Sequence, residues 1–309
     1  MKTIIPNKLK KGDTVAVIAP SDPIEKEDLE AINQSILLME GLGFKMIFGK
    51  YAFSNTTGYG ATAKEKAEDI NRMFQNKEVK AILCAKGGNN CSQTFDYLDF
   101  EAIQNNPKIF CGFSDTTSLL NIIYAKTGLV TFHGSTFKAF TSWETEYGWI
   151  HFVKCCIEGS LRIGEPEKET YETIQEGMAE GILIGGNLTL FSNLLLGKYQ
   201  VDVKDKILFL EELGWESEPA AVSRCFYYLK QNEVFDKIKG IWLGNYTHES
   251  NLTIEKILKD TIGEEYSFPI IKSENFGHID KKAMIPLGIK ARMDTSRKTK
   301  IELLEPSVK

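Results

Sequence analysis

The chain has 309 residues, 42% of them apolar, and a net charge of −5 with both signs interspersed. That length suits one large or two ordinary domains, and the apolar share is enough for a core. No run approaches the ~18–20 apolar residues that span a bilayer, and the acidic balance argues against a nucleic-acid-binding surface.

Neither a membrane nor nucleic acid is therefore an expected partner. The opening Met1 to Lys11 is charged and lacks a long apolar stretch, so it does not read as a secretory signal. The expected location is the cytoplasm. Six cysteines occur, at 84, 91, 111, 155, 156 and 225, with no CxxC pair. Buried thiols in a reducing compartment are expected, rather than structural zinc or a disulfide framework.

Taken in chain order, the first half alternates strands and helices. Thr14 to Ala19 is an apolar run stopped by Pro20-Ser-Asp-Pro23. Ile24 to Leu42 has helical spacing and ends at Gly43. Phe44 to Phe48 reads as a strand, Ala63 to Asn76 as a helix, and Val79 to Ala85 as a strand ending at Lys86-Gly87-Gly88. Cys91 to Tyr97 is a short helix candidate. Such alternation implies a parallel sheet covered on both faces, with ligands beyond the carboxyl ends of its strands.

The next segment, Lys108-Ile-Phe-Cys-Gly-Phe-Ser-Asp-Thr-Thr117, carries the most information. An apolar run stops at Gly112, and a helical stretch from Thr116 to Ala125 begins almost at once. Ser114 falls on the turn between them. A hydroxyl there stands at the carboxyl edge of a sheet, beside the N–H groups of a helix start. A nucleophile needs that placement. Ser114 or Asp115 also suits an ordinary helix N-cap.

Composition shifts between about Trp149 and Ala179, where Gly164 to Glu176 is acidic and without period. The expected organisation is an N-terminal domain over 1–150, a connection or mobile loop over 151–178, and a second α/β or mixed domain over 179–309. The second half holds strand candidates near Gly181–Asn187 and at Ile207–Leu210, Gly240–Leu243, Pro269–Lys272 and Lys300–Leu304. Its helix candidates are Leu188–Leu196, Ala220–Gln231 and Ile254–Thr261.

A serine nucleophile requires a base, and the base an orienting acid. The histidines are His133, His151, His248 and His278. His151 looks peripheral, His248 looks like a loop residue, and His133 and His278 each follow a strand. Glu211 is the first polar residue at the end of an apolar strand, with Glu212 beside it. The Gly87-Gly88 turn matches neither GxGxxG nor GxxxxGK[ST], so a phosphate-binding reading is weak. Its N–H groups suit an oxyanion hole or a plain turn. Gly185-Gly186-Asn187 is equally ambiguous.

Lys10 to Ser21, the Gly87-Gly88 turn, Gly112-Phe-Ser-Asp-Thr-Thr117 and Thr131-Phe-His-Gly134 occur in a recognisable order. Gly185-Gly-Asn-Leu188, Leu208-Phe-Leu-Glu-Glu212, Gly277-His278 and Pro286-Leu-Gly288 continue it. Together they resemble the LD-carboxypeptidase family of serine peptidases, which includes muropeptide LD-carboxypeptidases and microcin C self-immunity peptidases. The resemblance implies an α/β chain with a Rossmann-like parallel-sheet N-terminal domain and a smaller mixed α/β C-terminal domain. It implies Ser114 as nucleophile, His278 as base and Glu211 as orienting acid, with the Gly88 and Asp115 N–H groups as oxyanion hole. No cofactor or metal is implied, and a homodimer is.

The implied substrate is a small peptide, such as a muropeptide tetrapeptide losing its terminal D-alanine, or a peptide-nucleotide conjugate. Residues 89–100 resemble the immunity branch. The acidic connection lacks the tryptophan expected there, leaving Tyr171 as its aromatic candidate. Arg72, Lys86 and Arg224 are candidates for holding a substrate carboxylate. A non-catalytic cytosolic small-molecule binding protein is the alternative of another class.

Overall fold

The computed structural model describes residues 2–141, 146–163, 170–214 and 217–309. The first half builds strands β1 (Thr14–Ile18), β2 (Lys45–Phe48), β3 (Val79–Cys84), β4 (Ile109–Gly112) and β5 (Thr131–His133). They pair in parallel in the order β5-β4-β3-β1-β2. The central strands are apolar along nearly their whole length because helices cover both faces. Helix α1 (Leu29–Gly41) follows β1, and α2 (Ala63–Gln75) follows β2. Helix α2 starts at a capping box in which the Glu65 N–H donates to Thr62 Oγ1 and the Thr62 N–H donates to the Glu65 carboxylate. Cys91–Tyr97 forms a 3-10 segment rather than an α-helix, and a short α3 (Phe100–Asn105) precedes β4.

Helix α4 (Thr117–Thr127) shows no apolar stripe, because nearly all of it is buried. It lies between the two halves of the molecule, touching β4 and β5 on one side and strand β7 (Met178–Asn187) on the other. A helix buried all round needs no polar face. Asn121 joins the two sides. Its amide donates to the Gly185 carbonyl at 2.8 Å and accepts from the Gly185 N–H at 3.2 Å.

The second sheet is mixed and has seven strands. Besides β7 these are β6 (Tyr171–Gln175), β8 (Lys206–Glu211), β9 (Gly240–Leu243), β10 (Ile270–Ser273), β12 (Lys290–Asp294) and β13 (Ile301–Leu303). Their order is β13-β12-β7-β8-β9-β10-β6, with β7 to β10 parallel. Helices α6 (Leu188–Asn193), α7 (Pro219–Gln231) and α8 (Ile254–Ile262) accompany it.

Two expectations need correcting. The stretch 151–178 is not a plain loop: α5 (Tyr147–Phe152) runs into a helical turn over Val153–Glu158, and Tyr171–Gln175 is the edge strand β6. That strand pairs antiparallel with β10, and its half-exposed residues hide the usual alternation. Residues 164–169 of the expected loop lie outside the described residues. In addition, the second half lends β11 (Ile285–Leu287) to the first sheet, antiparallel to β5. Pro286 is tolerated there because β11 is an edge strand. Among the described residues no helix is long and apolar enough to cross a membrane.

Candidate active site

Ser114 directly follows Phe113, the residue after β4. Phe113 is extended, whereas Ser114 has φ +61°, a left-handed backbone that costs a non-glycine residue about 1–3 kcal/mol. One 3-10 turn, Ser114–Thr116, then leads into α4. Its geometry is held locally by the Thr116 hydroxyl, which donates to the Phe113 carbonyl at 2.9 Å. Asp115 anchors the turn from the side. Its buried carboxylate accepts from the Ser21 hydroxyl at 2.5 Å and from the Cys91 N–H at 2.8 Å. The segments that follow β1 and β3 are thereby tied to the serine turn.

His278 stands 3.1 Å from Ser114, measured from Nε2 to Oγ, and its Nδ1 is 2.7 Å from Glu211 Oε2. A carboxylate only accepts, so the proton of this pair sits on Nδ1 and leaves Nε2 free to accept from the serine hydroxyl. Glu211 closes β8 and is fully buried, and its Oε1 has no hydrogen-bond partner among the described residues. Glu212, which sequence could not separate from it, does different work. Its carboxylate accepts from Asn187 Nδ2, the Thr189 N–H and hydroxyl, and the Leu213 N–H. It therefore fastens the start of α6 to the end of β8. His278 arrives on the segment after β10, where Gly277 has φ +124° and lies close against Asn245.

Under this chain lies a layer that sequence reasoning did not identify. The Phe113 ring sits 4.6 Å from the His278 ring and 4.9 Å from the His133 ring, centroid to centroid. The Lys282 ammonium lies 4.2 Å from the Phe113 centroid. Burial brings Lys282 down to about 8, although Glu211 and Asp280 favour its charge. Burial, with His278 and Lys282 nearby, brings His133 down to about 3. His133 is thus a neutral core histidine, not a second base. It is the third residue of β5 and not, as expected, a residue that follows the strand.

The Gly87-Gly88 turn packs against the serine. A Cβ on Gly87 would lie 3.2 Å from Ser114 Oγ, and one on Gly88 would lie 2.0 Å from Asp22 Oδ1. No hydrogen bond among the described residues uses the Gly88 N–H. Gly185 and Gly186 serve packing instead: Gly186 lies against Thr117 and the His133 ring.

The other candidates have other partners or positions. His151 is buried on α5 against Tyr147, not peripheral as expected. His248 is a loop residue held by Ser250. Arg72 pairs with Asp69 at 2.8 Å, Lys86 pairs with Asp28 at 2.8 Å, and Arg224 is exposed on α7. Tyr171 lies in β6 opposite Ser273. All six cysteines are free and buried, and burial raises the thiols of five, Cys111 strongly and Cys155 to about 12. Among the described residues no cluster of His, Cys, Asp or Glu could hold a metal ion.

Comparison with known proteins shows the family. Residues 15–134 match the LD-carboxypeptidase N-terminal domain and residues 180–293 the LD-carboxypeptidase C-terminal domain. A probable murein peptide carboxypeptidase of Bacillus subtilis is 33% identical over 96% of this chain and 93% of its own length. The microcin C7 self-immunity protein MccF of Escherichia coli is 28% identical over 94% of this chain and 93% of its own length. The structure of MccF in complex with aspartyl sulfamoyl adenosine superposes with a TM-score of 0.89 at 27% identity, covering 99% of this chain and 100% of that one. The chain belongs to the LD-carboxypeptidase family of peptidases.

Proposed function

We propose that the protein is a serine peptidase of LD-carboxypeptidase type, removing the terminal D-amino acid from a small peptide such as a muropeptide tetrapeptide. The observation that carries this reading is the unbroken hydrogen-bonded chain from Ser114 through His278 to the buried Glu211. Ser114 Oγ attacks the carbonyl carbon while its proton passes to His278 Nε2. Glu211 holds the ring and stabilises the imidazolium. The Gly88 and Asp115 N–H groups receive the oxyanion, consistent with the unused Gly88 donor next to Gly87, which faces Ser114. Collapse of the intermediate breaks the C–N bond, and His278 gives its proton to the departing amine. Water, deprotonated by the same imidazole, then releases the acyl group from Ser114.

A second reading has its own support. Likeness to MccF along nearly the whole chain favours cleavage of an aminoacyl-nucleotide conjugate by the same triad. The working assembly under either reading is a cytoplasmic homodimer, as the family resemblance implies. Sedimentation of the purified protein tests that assembly.

Product mass spectrometry on muropeptide tetrapeptides and on aminoacyl sulfamoyl nucleosides tests the function. Wild-type protein should release D-alanine from the former or free amino acid from the latter. Ser114→Ala and His278→Ala should each abolish release while melting as the wild type does. Turnover persisting near the wild-type rate in either variant would refute the triad. Tight binding without turnover would instead identify a binding protein.

A further inference from the structure

Asp22 was not among the residues expected at the site, yet it stands beside the serine turn. It follows β1 in the segment Pro20-Ser-Asp-Pro23, where its neighbour Ser21 bonds to Asp115. Its N–H donates to the Gly87 carbonyl at 3.2 Å, which fixes its backbone to the glycine turn. Gly87 faces Ser114 and Gly88 faces Asp22, with the position of a Gly88 Cβ only 2.0 Å from Asp22 Oδ1. The carboxylate therefore lies directly against the residue whose N–H is assigned to the oxyanion.

That carboxylate is half-buried, and no hydrogen bond or ion pair engages it among the described residues. The charges that face it are Lys86, Lys66, Asp115 and Glu25. Neither cation makes a hydrogen bond or ion pair with Asp22 among the described residues. Lys86 pairs with Asp28 at 2.8 Å and Glu25 at 3.6 Å, and the buried Lys66 donates to Asn90 Oδ1 at 2.5 Å. Burial raises the Asp22 carboxyl above its ordinary range, with Lys86 and Lys66 opposing the rise and Asp115 and Glu25 adding to it. A carboxylate with no directly bonded partner beside a developing oxyanion opposes the reaction. A cation delivered by the substrate would remove that opposition and fill the vacant acceptor at once.

We propose that Asp22 forms a subsite for a primary ammonium on the acyl part of the substrate, so that the enzyme selects substrates bearing a free amine there. The inference rests on the serine-peptidase reading above. The compounds named with MccF, aspartyl sulfamoyl adenosine and glutamyl sulfamoyl guanosine, are aminoacyl conjugates with an α-ammonium next to the acyl carbon. Compounds of that kind carry the ammonium that the subsite would take.

The test compares kcat/KM within two pairs: L-alanyl-D-alanine against its N-acetyl derivative, and aspartyl sulfamoyl adenosine against its Nα-acetyl derivative. A charge-assisted hydrogen bond predicts that the free amine of a cleaved pair is favoured by about 10–100-fold. Asp22→Asn should bring that ratio to within about threefold of one, and lowering the pH far enough to protonate Asp22 should shrink it in the wild type. A wild-type ratio near one, which needs no variant to fold, would overturn the subsite while leaving the peptidase reading intact. So would an unchanged ratio in Asp22→Asn. Failure of the wild type to cleave all four compounds and the muropeptide tetrapeptide would overturn the peptidase reading, and the subsite with it.

Discussion

At Gly88 the backbone has φ +146°, a region that side chains other than hydrogen rarely adopt, and a Cβ would collide with Asp22 Oδ1 and Ser21 Oγ. Gly88→Ala must therefore displace either the turn or Asp22. Under the mechanism proposed, loss of the Gly88 donor should lower kcat by about 10²–10³-fold. Steady-state kinetics alongside a melting curve checks this, because a folded variant with normal kcat would remove Gly88 from the oxyanion role. Ser114 illustrates the same scale from the other side. Its left-handed backbone is tolerated because Thr116, Asp115 and the Gly87 contact hold the turn from three directions. Of the two adjacent carboxylates, Glu211 meets His278 and Glu212 accepts from Asn187 and Thr189 at the start of α6. One residue of register on β8 sends their side chains to different neighbours.

At the scale of elements, the site depends on how α4 meets β7. Ser114 opens the turn into α4, and Glu211 ends β8, which pairs with β7 through Asn187. Asn121 is the polar link between these two bodies, bonded to both the N–H and the carbonyl of Gly185 in a buried setting. Asn121→Ala leaves both backbone groups unsatisfied, which should destabilise the fold by roughly 2–4 kcal/mol. It should also loosen the Ser114–His278 approach, lowering kcat/KM more than the fraction unfolded explains. Chemical denaturation and kinetics on the same preparation check the two effects. Strand β11 supplies a second link, since it carries the chain from the His278 segment back into the first sheet.

At the scale of the whole molecule, the buried neutral His133 makes stability depend on pH. Its pKa is about 3 in the folded chain against 6.5 for the free side chain. Between those values the unfolded state binds a proton that the folded state refuses, so stability falls as pH drops from about 6.5 toward 3. At roughly 1.4 kcal/mol per unit, the loss approaches about 4–5 kcal/mol. His133→Phe, which keeps a ring beside Phe113 and Phe209, should flatten this acid limb. Urea denaturation midpoints from pH 7 to pH 4 check it, and a limb of unchanged steepness in the variant would assign the acid sensitivity to other groups.

Local patterns carried the parts of the fold that depend on neighbours in the chain. The apolar run, Gly112 and the helix start announced the strand–turn–helix around Ser114, and the apolar run to Leu210 announced a strand ending at Glu211. Alternation of such segments was enough for a parallel sheet with a site at its carboxyl edge. Family resemblance, not spacing, selected His278 from four histidines. Nothing local distinguishes it from His133, because its partners lie 164 and 67 residues away. The edge strands β6 and β11 were also missed, since each is short and takes its pairing from a distant strand. Asp22, Phe113 and Lys282 acquire their roles only once β1, β4 and the segment after β10 converge. Chain-local sterics and hydrophobic burial set the elements. Long-range contacts, which cost loop-closure entropy and leave no mark in spacing, decided which side chains face one another.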